Sequence, residues 1–145
     1  MLSKAIEVAT NALKDIKDDN GFPYIDHALR VMDKMDTEEE KIVAVLHDVL
    51  EDTEMSIQDL KQEGFSRTVL ETVAMLTKRK DMTYFDYIDD ILCSELASKV
   101  KIAEIEDNKD IKRVQKMSFQ TYTLDQRAAK ALLILRGENT ANDYK

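Results

Sequence analysis

The sequence predicts an all-α protein, a single-domain helical bundle, and three observations support this fold class. Apolar residues recur at spacings of three and four along most of the 145 residues, whereas alternating polar and apolar runs are scarce. Capping-box patterns precede several of these periodic runs. Only one proline and three glycines interrupt the chain, which suits closely connected helices. We expect the bundle to span residues 1–136 and residues 137–145 to form a polar tail.

Capping residues and apolar periodicity predict where each helix begins and which face it buries. Four capping-box pairs mark helix starts: Thr37 with Glu40, Ser56 with Asp59, Thr83 with Asp86 and Thr123 with Gln126. Pro23 suits the first turn of another helix. The predicted helices cover residues 4–17, 24–35, 37–52, 57–64, 67–76, 84–93, 95–109 and 122–136. Within 37–52 an apolar stripe predicts burial of one face; its members are Ile42, Val45, Leu46, Val49 and Leu50.

Composition and charge exclude several kinds of partner. The net charge of -8 argues against binding nucleic acid through its phosphates. No apolar run is longer than Ala131 to Leu135, far short of the roughly 20 residues of a membrane-spanning helix. Cys93 is the only cysteine, and no secretory signal is evident. We therefore expect a cytoplasmic protein with neither membrane nor nucleic acid as partner; the sequence does not indicate an oligomeric state.

The stretch LHDVLEDT, residues 46–53, places acids where a helix disfavours them. On a continuous helix, His47 lies above Glu51 and Asp48 above Asp52, each pair about 6 Å apart along the axis. The carboxylates repel one another and meet the negative end of the helix dipole. A bound cation would reverse this penalty, so the pattern indicates a site. The alternative is a satisfied core histidine beside acids that point to water.

Two further segments carry polar groups on helices. His27, the only other histidine, lies in the apolar run GFPYIDHALRVM, and Lys101, Glu104 and Asn108 share one helix face. Each has an ordinary alternative: His27 as a buried histidine, Glu104 paired with Lys101, and Asn108 as a helix-ending residue. Two imidazoles and two carboxylates would suit Mn²⁺, Fe²⁺ or Zn²⁺ better than Ca²⁺.

In order and spacing, the segments GFPYIDH, VLHDVLEDT, LTKRKDMTYFDYID and VKIAEIEDN together resemble the HD-domain phosphohydrolases. The similarity is to the branch that includes the hydrolase half of the RelA/SpoT alarmone enzymes and their small stand-alone relatives. It implies an HD-type bundle with a metal ion, Mn²⁺ in typical members. The implied residues are His27, His47, Asp48 and Glu104 as metal ligands, Glu51 and Asp52 as the catalytic pair, and Asn108 as a substrate contact. Lys101 could neutralise phosphate charge.

The activity implied by this resemblance is hydrolysis of a phosphate or pyrophosphate ester in a small, nucleotide-like substrate. The best-defined case is release of pyrophosphate from the 3′ position of guanosine tetraphosphate, ppGpp. The sequence departs from the family pattern in three ways: Glu104 replaces an aspartate, Asp18 and Asp19 replace a basic pair that packs against guanine, and Ala28 and Leu13 stand where the family often has a proline and a histidine. The alternative functions are a catalytically degenerate module that binds nucleotide or metal for regulation, and a purely structural interaction domain.

Overall fold

A computed structural model describes residues 1–112, 119–138, 141 and 144. Nine helices lie in this part of the chain: α1 (Leu2–Leu13), α2 (Ile25–Asp33), α3 (Glu38–Leu46), α4 (Val49–Asp52), α5 (Ile57–Gln62), α6 (Arg67–Met75), α7 (Tyr84–Leu92), α8 (Glu95–Lys112) and α9 (Phe119–Leu135). No strand occurs among the described residues, which contain one isolated bridge between Lys17 and Pro23. The predicted all-α class is confirmed. None of the described helices combines the length and the apolar character needed to cross a bilayer.

Side-chain caps begin three of the helices at the predicted residues. Thr37 and Ser56 each form a complete capping box, with the hydroxyl accepting a backbone N–H and the partner acid accepting the cap residue's own N–H. Thr83 accepts a hydrogen bond from the Asp86 backbone at 3.1 Å. The fourth predicted start is wrong, because α9 begins at Phe119 and Thr123 lies inside it.

Residues Met1–Thr77 form one compact unit that contains α1 to α6. The helix α3 is its centre and packs against α1, α2 and α6. Every residue of α3 from Ile42 to Leu46 is buried, so the second half of the helix is enclosed on all sides rather than along the single predicted stripe. The unit therefore builds its core around the helix that leads directly into His47 and Asp48.

The predicted continuous helix over 37–52 is wrong, because it is interrupted at His47 and Asp48. Helix α3 ends at Leu46, and the four-residue α4 starts at Val49. The carbonyl of Ala44 accepts hydrogen bonds from both the backbone N–H and the ring Nδ1 of His47. In a continuous helix this carbonyl would instead accept the Asp48 N–H. The Asp52 N–H still donates to the Asp48 carbonyl at 3.0 Å, so the expected stacking of His47 above Glu51 and of Asp48 above Asp52 stays a prediction.

Residues Lys78–Lys145 form the second compact unit, in which α7, α8 and α9 pack against one another. Helix α8 continues to Lys112, beyond the predicted end at residue 109. In the predicted polar tail, Ala141 is only 2% exposed and the ring of Tyr144 lies 5.3 Å from that of Phe85. These two tail residues thus contact the unit, while the domain boundary at residue 136 stays a prediction.

Candidate metal centre

Three ligand side chains converge in the first unit. His27 comes from α2, whereas His47 and Asp48 occupy the break between α3 and α4. All three are buried, with relative exposures of 2%, 2% and 5%. Each offers a nitrogen or oxygen atom within 4.8 Å of those of the other two. Packing around α3 thus brings together the two predicted histidine ligands and the predicted aspartate ligand.

The geometry of the cluster directs both imidazoles at one carboxylate oxygen. Oδ2 of Asp48 lies 2.9 Å from Nε2 of His47 and 3.7 Å from Nε2 of His27. The two rings meet edge to face, with centroids 5.4 Å apart. Because the three atoms face one another, a single small cation could replace their mutual contacts.

The helix break also brings the ring of His47 to the carbonyl of Ala44. A carbonyl oxygen can only accept, so this contact calls for a proton on Nδ1 of His47. Nε2, the ring atom that faces Asp48, is then the nitrogen that would bind a cation in place of its contact with the carboxylate. A hydrogen bond from the other ring nitrogen to a carbonyl is typical of metal-binding histidines.

Asp48 is held as a carboxylate despite its burial. Burial alone would raise its pKa, but the charge and hydrogen bond of His47 and the charge of His27 outweigh it. The Tyr24 hydroxyl donates to Oδ2 at 2.9 Å and acts in the same direction. The net effect is a pKa well below the usual range, so an anionic oxygen is available to a cation.

The donor set fits a divalent transition metal. Two imidazole nitrogens and one carboxylate oxygen form a mixed N/O set, which suits Mn²⁺, Fe²⁺ or Zn²⁺ and leaves positions for further ligands. Calcium prefers a shell made of oxygen atoms alone.

The predicted catalytic acids lie immediately after the cluster. Glu51 and Asp52 occupy α4, three and four residues beyond Asp48, and both side chains are exposed. The helix break separates this short helix from α3, so the acids do not continue the buried face of α3. Their catalytic roles stay predictions.

The remaining predicted residues lie on α8 in the second unit. Nζ of Lys101 is 2.7 Å from Oε2 of Glu104, and it also lies 5.1 Å above the centre of the Tyr87 ring. Burial would lower the pKa of Lys101, but Glu104 and the two tyrosines Tyr84 and Tyr87 raise it well above its usual value. The sequence alternative of a Lys101 to Glu104 pair is therefore observed.

Asn108 does not end its helix, because α8 continues for four more residues. The helix-ending alternative for this amide is therefore wrong, and its side chain is half-buried. Three roles stay predictions: that of Asn108 as a substrate contact, that of Lys101 toward phosphate and that of Glu104 as a metal ligand.

Sequence reasoning missed Tyr24 and the Ala44 carbonyl. Tyr24 precedes His27 by three residues, so a helix starting near Pro23 would place the two side chains on one face. That spacing could have found Tyr24. No sequence signal could have indicated the Ala44 carbonyl, since any residue at position 44 has a backbone carbonyl.

A comparison with solved structures finds a known protein with a similar helical fold. No family model matches the chain, and no curated protein matches it. Among solved structures, it is similar to a protein described as a metazoan ortholog of SpoT that hydrolyses ppGpp and plays a role in starvation responses. The TM-score is 0.77, with 24% identity over 95% of this chain and 86% of the other. The likeness confirms the predicted helical fold, which this chain shares with that protein.

Proposed function

We propose that the protein is a metal-dependent phosphohydrolase acting on a phosphate or pyrophosphate ester of a nucleotide-like substrate. The observation that carries this proposal is the convergence of both Nε2 atoms on Oδ2 of a buried, ionised Asp48. The fold it shares with a ppGpp-hydrolysing protein supports the choice of chemistry. Hydrolysis of ppGpp at its 3′ position is the best-defined candidate reaction.

The proposed cofactor is a divalent cation, with Mn²⁺ as the first candidate and Fe²⁺ and Zn²⁺ as alternatives. His27, His47 and Asp48 would hold it, and we propose Glu104 as the fourth ligand on the strength of the sequence resemblance. When bound, such a cation lowers the pKa of water and polarises a phosphoryl oxygen. The protein's own part is to present two imidazoles and one carboxylate in a buried arrangement.

Proton transfer is assigned to the exposed acids of α4. In this proposal one of Glu51 and Asp52 accepts a proton from the attacking water, and the other donates a proton to the leaving oxygen. Their exposure keeps them accessible to substrate and solvent. On the substrate side, the Asn108 amide would contact the nucleotide and the Lys101 ammonium would offset phosphate charge.

The first experiment is metal analysis of the purified protein, followed by a product-release screen with Mn²⁺. The substrates are ppGpp, ordinary nucleotides and simple phosphomonoesters, with chelation as the control for metal dependence. We expect Asp48→Ala to abolish metal binding and turnover, and Asp52→Ala to retain the metal while losing turnover. Glu54→Ala, which removes another exposed acid from the same segment, should leave both unchanged. Equal turnover in all four proteins would contradict the proposal.

A second candidate function is a catalytically degenerate module that binds nucleotide for regulation. The Lys101 to Glu104 ion pair favours it, because this ammonium already compensates the carboxylate proposed as fourth ligand. The structural role of Asp18 also favours the regulatory module. Its carboxylate accepts backbone hydrogen bonds from Asn20 and Phe22 and so shapes the turn. Tight binding of ppGpp with Mn²⁺ present, without release of pyrophosphate, would identify the module and exclude the enzyme.

A further inference from the structure

Tyr24 contacts two of the three converging ligand residues. Its hydroxyl donates to Oδ2 of Asp48 at 2.9 Å. Its ring packs against that of His27, with centroids 5.5 Å apart and planes inclined by 57°. Tyr24, which directly precedes α2, therefore contacts both Asp48 and His27.

The backbone of Tyr24 is itself held by the loop before α2. The Tyr24 N–H donates to the carbonyl of Ile16 at 2.9 Å, and the Asp18 N–H donates to the carbonyl of Phe22 at 2.8 Å. The Asp18 carboxylate accepts the Phe22 N–H at 3.0 Å, and Gly21 adopts a φ of +82° that permits the turn. The backbone of Tyr24 is thus held by a hydrogen-bonded turn.

A carboxylate ligand binds most tightly when its oxygen already points at the cation. A free aspartate side chain would have to lose rotational freedom on binding, and a hydrogen bond from a neighbouring group removes much of that cost beforehand. In this chain the Tyr24 hydroxyl makes that contact on the same oxygen that both imidazoles face. The ring supports the orientation of His27 at the same time.

We propose that Tyr24 is a positioning residue for the divalent cation, through its hydroxyl on Asp48 and its ring on His27. The inference rests on the proposed function, because it assumes that the cluster binds a cation. It goes further by assigning a role to a tyrosine outside the proposed set of metal ligands. It also explains why the loop around Asp18 is so closely hydrogen-bonded.

The test is Mn²⁺ affinity of the full chain, measured by calorimetry for the wild type and for Tyr24→Phe. The phenylalanine keeps the ring against His27 and removes only the hydroxyl. We expect the affinity to fall about 10- to 100-fold. The lost hydrogen bond to a carboxylate should also lower the melting temperature of the metal-free protein, so the affinity is measured at a temperature where both proteins are folded. The absorption bands of bound Co²⁺ should also change. Tyr144→Phe, which removes a tyrosine hydroxyl in the second unit, is the matched control and should bind Mn²⁺ like the wild type.

Asp18→Ala provides a second variant that leaves every atom of the cluster in place. It loosens the turn that holds Tyr24 and should weaken Mn²⁺ binding several-fold. Unchanged affinity in Tyr24→Phe, or in Asp18→Ala if the first variant does not fold, overturns the inference and leaves the proposed function intact. If the wild type binds no divalent cation, the inference and the proposed function fail together.

Discussion

Replacing Asp48 with asparagine tests how much one negative charge contributes to the metal centre. Asparagine has nearly the same shape, and its amide oxygen can still accept the Tyr24 hydroxyl that Asp48 accepts at 2.9 Å. The variant therefore preserves packing at a position that is only 5% exposed. What it removes is the anionic oxygen that faces both imidazoles.

The size of the effect follows from binding linkage. At a Mn²⁺ concentration 100 times the wild-type Kd, binding stabilises the folded state by about 2.7 kcal/mol. In a chain of this size that raises the melting temperature by about 8 °C. Loss of outer partners of a metal ligand costs about 10- to 100-fold in affinity, so loss of the charged ligand should cost at least ~100-fold. The same Mn²⁺ concentration then stabilises Asp48→Asn by only about 0.4 kcal/mol, or about 1 °C.

The assay is thermal unfolding followed by circular dichroism, with and without Mn²⁺. Asp33→Asn is the matched control, because it makes the same substitution at an exposed position of α2 in the same unit. It should show the full metal-induced rise. An undiminished rise in Asp48→Asn would refute the assignment of this carboxylate as a ligand.

Three further predictions concern stability, measured by urea unfolding of the metal-free protein. Thr37→Ala removes a complete capping box and should cost about 1 kcal/mol; an unchanged midpoint would show that the cap is dispensable. Leu46→Ala opens a cavity at a fully buried site and should lower the free energy of unfolding by roughly 2–5 kcal/mol. A decrease of less than about 1 kcal/mol would contradict the central placement of α3. Lys101→Met deprives the largely buried Glu104 of its ammonium partner and should cost roughly 3–5 kcal/mol. Adding Glu104→Gln should recover part of that loss, and no recovery would refute the pairing.

Much of the fold could be predicted because local signals and packing agree. The hydroxyls of Thr37, Ser56 and Thr83 each precede an apolar periodic run, and each caps a helix in the structure. Cap and periodicity act within a few residues, so sequence alone can locate them. The enclosure of the second half of α3 was harder to predict. Val43 and Ala44 are buried because α1, α2 and α6 pack around this helix, and no local sequence pattern indicates that packing.

The metal-centre residues of the first unit were predicted from chemistry, whereas their geometry was not. Acids near a helix end indicated a candidate site, which stays a prediction, but the continuous helix expected there is interrupted at His47 and Asp48. The interruption coincides with a contact between the His47 ring and the Ala44 carbonyl, which periodicity cannot reveal. The role of Tyr24 likewise depends on the packing of α2 against α3.

The central claim is that His27, His47 and Asp48 bind one divalent cation. The most direct test is a crystal structure of the Mn²⁺-loaded protein with anomalous diffraction recorded for manganese. If they do, one anomalous peak lies within bonding distance of both Nε2 atoms and of Oδ2 of Asp48. A fully loaded protein whose manganese peak lies elsewhere, with the two imidazoles still facing an unliganded Asp48, would contradict it.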